Sequence, residues 1–235
     1  MPDRFDPPRR LRVENVARRT SVVWLFTMAA DDGSSIDDLQ FEPGQVAVLS
    51  IPDFGEAYMA IASPPDQRGR LEFLVKRTGE VGERLCDLGG LANVELTGLV
   101  GEGFPVDRFA GKDLVVIAAG TAIAPVRAAI GHAISHRAKF GKMILVHGVR
   151  RPEDFAVDDE IDRWREAGVE VVLTVTQPGQ DWNGKTGRVQ ELLEQAVRDT
   201  LEPVAFVCGS AEMMMQTEDS LLRLGLESER VFRNF

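Results

Sequence analysis

The feature that constrains this chain most is a change of rhythm near Gly111. Beyond it, short apolar runs alternate with amphipathic stretches. Leu114-Val115-Val116-Ile117-Ala118 is almost purely apolar, as a strand covered on both faces must be. A helix is predicted from about Ile123, where Val126, Ile130 and Ile134 recur every fourth residue. The strand Met143–Val146, a helix carrying Ile161 and Trp164, and the strand Val169–Val175 follow. Val189, Leu192, Leu193, Ala196 and Val197 stripe a further helix. The strand Val204–Val207, a helix over Met213–Leu224 and a short strand running to Phe235 complete the series. Such alternation predicts a parallel, doubly wound sheet.

Before Gly111 the apolar runs are shorter and turn residues separate them. Leu11–Val13, Ser21–Phe26, Gln45–Leu49, Leu71–Val75 and Val94–Leu96 are punctuated by Pro43-Gly44, Pro64-Pro65 and Gly89-Gly90. This spacing predicts an antiparallel barrel or sandwich with one helix near Val81–Leu88. Asp31–Asp38 is expected to be a hairpin loop. At 235 residues the chain divides naturally into residues 1–111 and 112–235.

Charge and cysteine content narrow the function classes. The 27 basic and 37 acidic side chains give a net charge of −10, which argues against nucleic acid as a partner. Arg4, Arg9, Arg10, Arg12, Arg18 and Arg19 lie in the first twenty residues, either as a solvated strand or as a local basic patch for an acidic partner. Cys86 and Cys208 are far apart and form no C-x-x-C pair, so free thiols in a reducing, cytoplasmic setting are expected. Two cysteines are too few for an iron–sulfur cluster held by this chain alone. No apolar run reaches membrane-spanning length, and the start MPDRFDPPRR has no apolar signal core.

In an open parallel sheet, ligands sit beyond the carboxyl ends of the strands where strand order reverses. Turn residues occupy those ends: Gly120, Thr121, Ala122 and Pro125 after the first strand, Gly148 and Arg150 after the second, Gln177 after the third, and Cys208, Gly209, Glu212 and Met213 after the fourth. Gly120 permits close backbone approach, and the helix start behind it favours a phosphate. A tight turn without ligand is the plain alternative. In the first half, Ala57-Tyr58-Met59-Ala60-Ile61-Ala62-Ser63 leads a strand into a turn. Leu74-Val75-Lys76 leads through Gly79 to a helix start at Val81 and Gly82, a second candidate anion site.

Taken in order, these segments resemble the ferredoxin–NADP reductase superfamily. Phe41-Glu42-Pro43-Gly44-Gln45 is similar to the apolar-x-Pro-Gly-Gln start of a barrel strand in that family. Met59–Ser63 stands where members carry their flavin motif. AAGTAIAP resembles the nicotinamide-nucleotide turn, and Cys208-Gly209 with Glu212-Met213 the Cys-Gly-x-x-x-Met signature. AIASPP, EFLVK, TQPGQDWNGKTGRVQ and the final NF are most similar to a plant and bacterial group whose plant members are called fruit proteins. The resemblance implies an FAD-binding barrel followed by an NAD(P)H-binding domain, and an oxidoreductase passing electrons to a ferredoxin-like protein or a small acceptor. It implies that Ala57, Tyr58, Met59 and Ala60 flank the flavin, that Leu74, Val75 and Lys76 line its far side, and that Val81 and Gly82 offer amides to the pyrophosphate. Gly120, Thr121, Cys208, Gly209, Glu212 and Met213 would hold the nicotinamide nucleotide.

The chain departs from the family pattern in places. Ala57 replaces the usual phosphate-binding arginine, Ala60 the usual hydroxyl, Tyr58 is one position off, and Ala122 replaces a glycine. These changes keep two other readings open: a subunit of a larger electron-transfer complex, and a non-catalytic nucleotide-binding module. Cys208 is either the side chain beside the nicotinamide or a small core residue at a strand end. Glu212 is a polar neighbour of the site or a first-turn helix carboxylate. Phe235 is an aromatic stacked on the flavin or the last core residue. Arg150 and Arg151 suit a 2′-phosphate, whereas Glu153 and Asp154 oppose one, so NADH and NADPH both remain. His132 and His136 have metal-capable i, i+4 spacing, with ordinary surface or half-buried histidines as the better reading.

Overall fold

A computed structural model describes residues 3–234; Phe235 lies outside them. Among the described residues the strands form two six-stranded sheets. The first is antiparallel and built from β1 (Asp3–Arg18), β2 (Val23–Ala30), β3 (Val46–Ile51), β4 (Gly55–Ala60), β5 (Leu71–Lys76) and β6 (Asn93–Val100), in the order β4-β3-β6-β1-β2-β5. Its inner face holds Phe26, Met28, Leu49, Leu71, Phe73 and Leu96. Helix α1 (Gly79–Leu88) packs against the two edge strands β4 and β5 and adds Val81 and Leu85 to that core. The long connection containing Asp31–Asp38 is not a hairpin: β2 pairs with β1 and β5, while β3 pairs with β4 and β6, so the segment crosses between strands that never touch. Polar loop composition marks a turn but carries no information on which strands it joins.

The second sheet is parallel: β7 (Leu114–Ala119), β8 (Met143–Val149), β9 (Val169–Val175), β10 (Lys185–Thr186), β11 (Val204–Cys208) and β12 (Val231–Arg233), ordered β10-β9-β8-β7-β11-β12. The order reverses between β7 and β11. Helices cover both faces. Leu114, Val116 and Ala118 pack under α2 (Ile123–Ser135) and α3 (Ile161–Glu166), while Val115 and Ile117 pack with α4 (Leu193–Val197) and α5 (Ala211–Arg223). The single helix expected over Val189–Val197 is a 3-10 turn, Val189–Leu192, followed by the short α4.

The two halves meet through strand alternation in β5. Leu71, Phe73 and Val75 point into the barrel, which leaves Glu72, Leu74 and Lys76 on the other face. Leu74 packs against the core of the parallel half. Glu72 meets Arg127 of α2, whose guanidinium is 11% exposed: Nη1 donates to Glu72 Oε2 (2.7 Å) and to the Ala62 carbonyl (2.9 Å), and Nε donates to Glu160 Oε1 (2.7 Å). Glu160, 6% exposed, also faces Arg163 at 3.0 Å. A second seam joins the Pro43-Gly44 turn to α2 and β12. Gly44 has φ +75°, and a Cβ there would stand 2.5 Å from that of Pro125; its carbonyl accepts from Asn234 Nδ2 at 2.8 Å.

Removing one member of a buried ion pair costs about 3–5 kcal/mol, and here Glu72 would lose its ion partner while Glu160 keeps Arg163. Arg127→Ala should therefore lower the urea unfolding free energy by about that amount. A loss under about 1 kcal/mol in denaturant titration would show that Glu72 and Glu160 find other partners.

Candidate cofactor cleft

A cavity of about 800 Å³ opens where the two halves meet and is lined by both. Pockets of roughly 300–1,000 Å³ are the usual size for small-molecule and cofactor sites. The barrel contributes β4, β5 and the start of α1. The parallel sheet contributes Ala119, Thr121, Ala122, Ala124 and Pro125 after β7, and Cys208, Gly209 and Ser210 after β11. These are the two strands flanking the reversal of strand order, so the cleft lies at the topological switch point.

Of the residues expected in the first half, Ala57, Tyr58, Met59, Ala60, Leu74, Val75, Lys76, Gly79, Val81 and Gly82 border the cleft. Tyr58 is 61% exposed at its mouth, while Ala57 and Met59 are half-buried against the barrel core. Ile61 and Ser63 do not reach it. Both are fully buried: Ile61 belongs to the barrel core, and Ser63 Oγ accepts the Glu72 amide at 3.0 Å. Their sequence neighbours line the cleft, but the strand ends at Ala60 and the chain turns inward.

The start of α1 is built as an amide cradle. Thr78 precedes it in an extended conformation and its side chain makes no cap, leaving the first-turn N–H groups to the cleft. Gly82 is required there: a Cβ would stand 2.8 Å from the Lys76 carbonyl, so any side chain pushes α1 away from β5. Phe54, also on the wall, lies under the Arg84 guanidinium at 4.3 Å. Sequence reasoning missed Phe54, Thr78 and Ser210. Only Ser210 gave a signal, as a helix-start serine whose Oγ accepts the Met213 amide at 3.2 Å.

On the parallel side, Cys208 and Gly209 border the cleft. Burial pushes the Cys208 thiol up to about 12, and its S–H points at the Asn234 carbonyl, 3.5 Å away, so the sulfur is an uncharged thiol at neutral pH. Gly209 leaves room for Met213, whose sulfur occupies the space a Cβ would need; Met213 itself is in the core rather than on the cleft wall. Glu212 is exposed and accepts from Gln216 one turn on, placing it outside the cleft as a first-turn carboxylate of α5. Phe235, expected either to stack on the flavin or to close the core, lies outside the described residues.

A second depression, about 420 Å³, adjoins the first across the Ala119-Gly120 turn. It gathers Gly120, Gly148, Arg150, Gln177 and Arg188. A Cβ on Gly148 would stand 2.6 Å from Val189 Cγ1, and Arg150 Nε donates to Gln177 Oε1 at 2.9 Å. Gly120 has φ +59°, and its carbonyl accepts from the fully buried His147, Nε2 to O 3.1 Å. Burial pulls the His147 pKa from 6.5 to about 4, so the ring is neutral and holds the turn by hydrogen bonding alone.

The model of the oxidoreductase NAD-binding domain matches residues 116–219. The gamma subunit of sulfhydrogenase 1 from Pyrococcus furiosus is 29% identical over 227 residues, covering 95% of this chain and 77% of that one. A fruit protein of Actinidia deliciosa is 26% identical over 205 residues, 80% and 64% of the two chains. A ferredoxin NADP+ reductase from Neisseria gonorrhoeae, solved with bound FAD and NADP, superposes with a TM-score of 0.78 at 21% identity over 97% of each chain.

Because the folded His147 pKa lies below its unfolded value, the unfolded chain takes up the proton first as pH falls. The stability this group contributes is complete above pH 6.5 and is lost towards about pH 4, a span worth roughly 3 kcal/mol. His147→Gln should flatten this part of the acid limb in urea titrations between pH 7 and pH 4. An unchanged slope would remove His147 from the account.

Proposed function

We propose that this chain, ferredoxin reductase-like in fold and carrying an oxidoreductase NAD-binding domain, is a flavin-dependent oxidoreductase that takes hydride from NAD(P)H and passes electrons to a protein or small acceptor. The carrying observation is the cleft at the switch point, walled on one side by the barrel and α1 and on the other by the ends of β7 and β11. On this reading residues 1–111 hold FAD and residues 112–235 hold NAD(P)H. The donor set suits a flavin: the first-turn amides of α1 and Lys76 would hold its pyrophosphate, and Tyr58, Met59, Leu74 and Val75 would offer surface to its ring system. When bound, the flavin supplies hydride acceptance and stepwise electron delivery.

The chain's own residues bind, orient and exclude water. Ala57 brings no charge to the phosphates, so amides and the α1 dipole carry that role. Ala60 offers no hydroxyl to the flavin ring. Gly120, Thr121 and Gly209 let the nicotinamide nucleotide approach the backbone, and Arg150 with Gln177 borders the depression suited to its far end. Cys208, as a neutral thiol, would offer a small polarizable group to the nicotinamide ring. No chain-borne general acid or base is required.

The acceptor side remains a matter of class. Four of the six amino-terminal arginines are already ion-paired: Arg4 with Glu56 (2.6 Å), Arg9 with Asp38 (2.7 Å), Arg12 with Glu14 and Arg19 with Asp159 (2.5 Å). An acidic ferredoxin would therefore meet a largely compensated surface there. The similarity to a sulfhydrogenase gamma subunit favours a second reading, a subunit delivering electrons within a complex. The free Cys86 and Cys208 support a reducing, cytoplasmic setting. Among the described residues no helix is long and apolar enough to cross a membrane.

Protein supplied with FAD should be yellow and should bleach when NAD(P)H is added without oxygen. Protein that takes up no FAD overturns the reading, and bleaching by dithionite alone moves it to the subunit reading. Gly82→Ala, which displaces α1, should weaken FAD binding by roughly tenfold or more, read by equilibrium dialysis; unchanged affinity would take α1 out of the site.

A further inference from the structure

At the outer end of the seam, away from the cleft, Asp66, His132 and His136 converge. Asp66 lies on the connection between β4 and β5, His132 lies in the last turn of α2, and His136 follows four residues on as the residue that caps the helix. One ligand atom from each lies within 4.8 Å of the others. The connection is held against the helix here, since a Cβ on Gly131 would stand 3.2 Å from Pro64 Cγ. His132 is 9% exposed. Its Nε2 lies 3.1 Å from Asp107 Oδ2; a carboxylate only accepts, so this nitrogen carries a hydrogen and donates it. Asp107 is itself held by Lys139 at 3.2 Å. The remaining nitrogen, Nδ1, is buried and without a hydrogen-bond partner, and it faces Asp66 Oδ1 across 3.5 Å.

With Nδ1 unprotonated, the two atoms are acceptors facing each other across that distance, an arrangement that a bound cation resolves. We propose that Asp66, His132 and His136 bind a divalent transition-metal ion, zinc in the first instance, at the junction of the barrel and α2, with Asp107 as the positioning residue behind His132. A carboxylate–histidine–metal relay needs this order: the carboxylate fixes the tautomer and turns the other ring nitrogen to the ion. Tetrahedral zinc with bonds of about 2.0–2.1 Å requires ligand atoms roughly 3.4 Å apart. The Asp66–His132 pair already meets this spacing. The wider separations close by rotation of Asp66 and His136, which are exposed and half-buried respectively. His136 keeps its Nδ1 contact to the His132 carbonyl (3.0 Å) when Nε2 takes the ion, and gives it up when Nδ1 does. Three protein ligands leave a fourth position for water. Two imidazoles and one carboxylate favour zinc, cobalt or nickel over magnesium and calcium, which prefer oxygen. The ion would tie the barrel to the parallel half without touching the cofactor cleft.

The test uses untagged, chelator-treated full-length protein titrated with zinc sulfate or cobalt chloride alone, so its readout is independent of flavin content. One ion should bind per chain, the cobalt form should show intense visible bands of low-coordinate Co²⁺, and the thermal midpoint should rise with zinc but not with magnesium. Asp66→Asn and His136→Ala, both outside the core, should each weaken zinc binding at least tenfold while leaving the metal-free midpoint unchanged. Asp107→Asn should weaken it by about ten- to a hundredfold through the tautomer. Cys86→Ala should leave binding intact. Absence of saturable one-to-one binding, or binding that survives both ligand variants, overturns the proposal.

Discussion

The geometry of this molecule depends on where one guanidinium goes. Arg127 projects from a helix whose buried side is apolar apart from His132, and it ends among Glu72 of the barrel, Glu160 of the parallel half and the Ala62 carbonyl. A buried cation is tolerable only when its charge and its donors are all satisfied. Arginine suits the role because its fork donates in several directions from a fixed plane. One carboxylate comes from a barrel strand and the other from the turn that precedes α3 in the parallel half, so satisfying the cation fixes the distance between the halves. The cleft is the space that distance leaves.

The same logic divides labour along β5. One face of six residues builds the barrel core, and the other supplies an ion-pair partner, an apolar contact with the parallel half and a cleft lysine in succession. A one-residue slip would exchange the two sets and destroy core and seam together. This strand is also followed immediately by α1, whose approach is close enough to exclude a side chain at Gly82. Seam, cleft wall and amide cradle are therefore set by about a dozen consecutive residues.

The parallel half was legible because a strand covered on both faces leaves an unmistakable apolar run: Leu114–Ala118 and Val169–Val175 were found with their ends nearly right. Strand-end turn residues likewise pointed to Thr121, Cys208 and Gly209. Long-range pairing was not legible. Asp31–Asp38 has the composition of a hairpin loop and joins strands that do not pair. Ile61 and Ser63 follow cleft residues without a break in composition, yet the strand has ended and they face inward. Glu212 sits beside a cleft glycine in sequence, but the helical turn carries it outward. Arg127 had left a signal that went unused, a lone charge between Val126 and Ala128-Ala129-Ile130. For His132 and His136 the helical spacing was visible, whereas Asp66 and Asp107 come from segments 66 and 25 residues earlier in the chain and join them only through the fold.

Gly44 and Asn234 add a second clamp to the one at Arg127, between the barrel turn and the strand nearest the carboxyl end. With both in place, spreading the sheets would expose a guanidinium, two carboxylates and two backbone carbonyls to be solvated anew. Traffic of small molecules must therefore pass through the doorway already present, beside the solvent-facing Tyr58 and Lys76. Dwell times would then reflect how readily those two side chains step aside, rather than any breathing of the whole molecule.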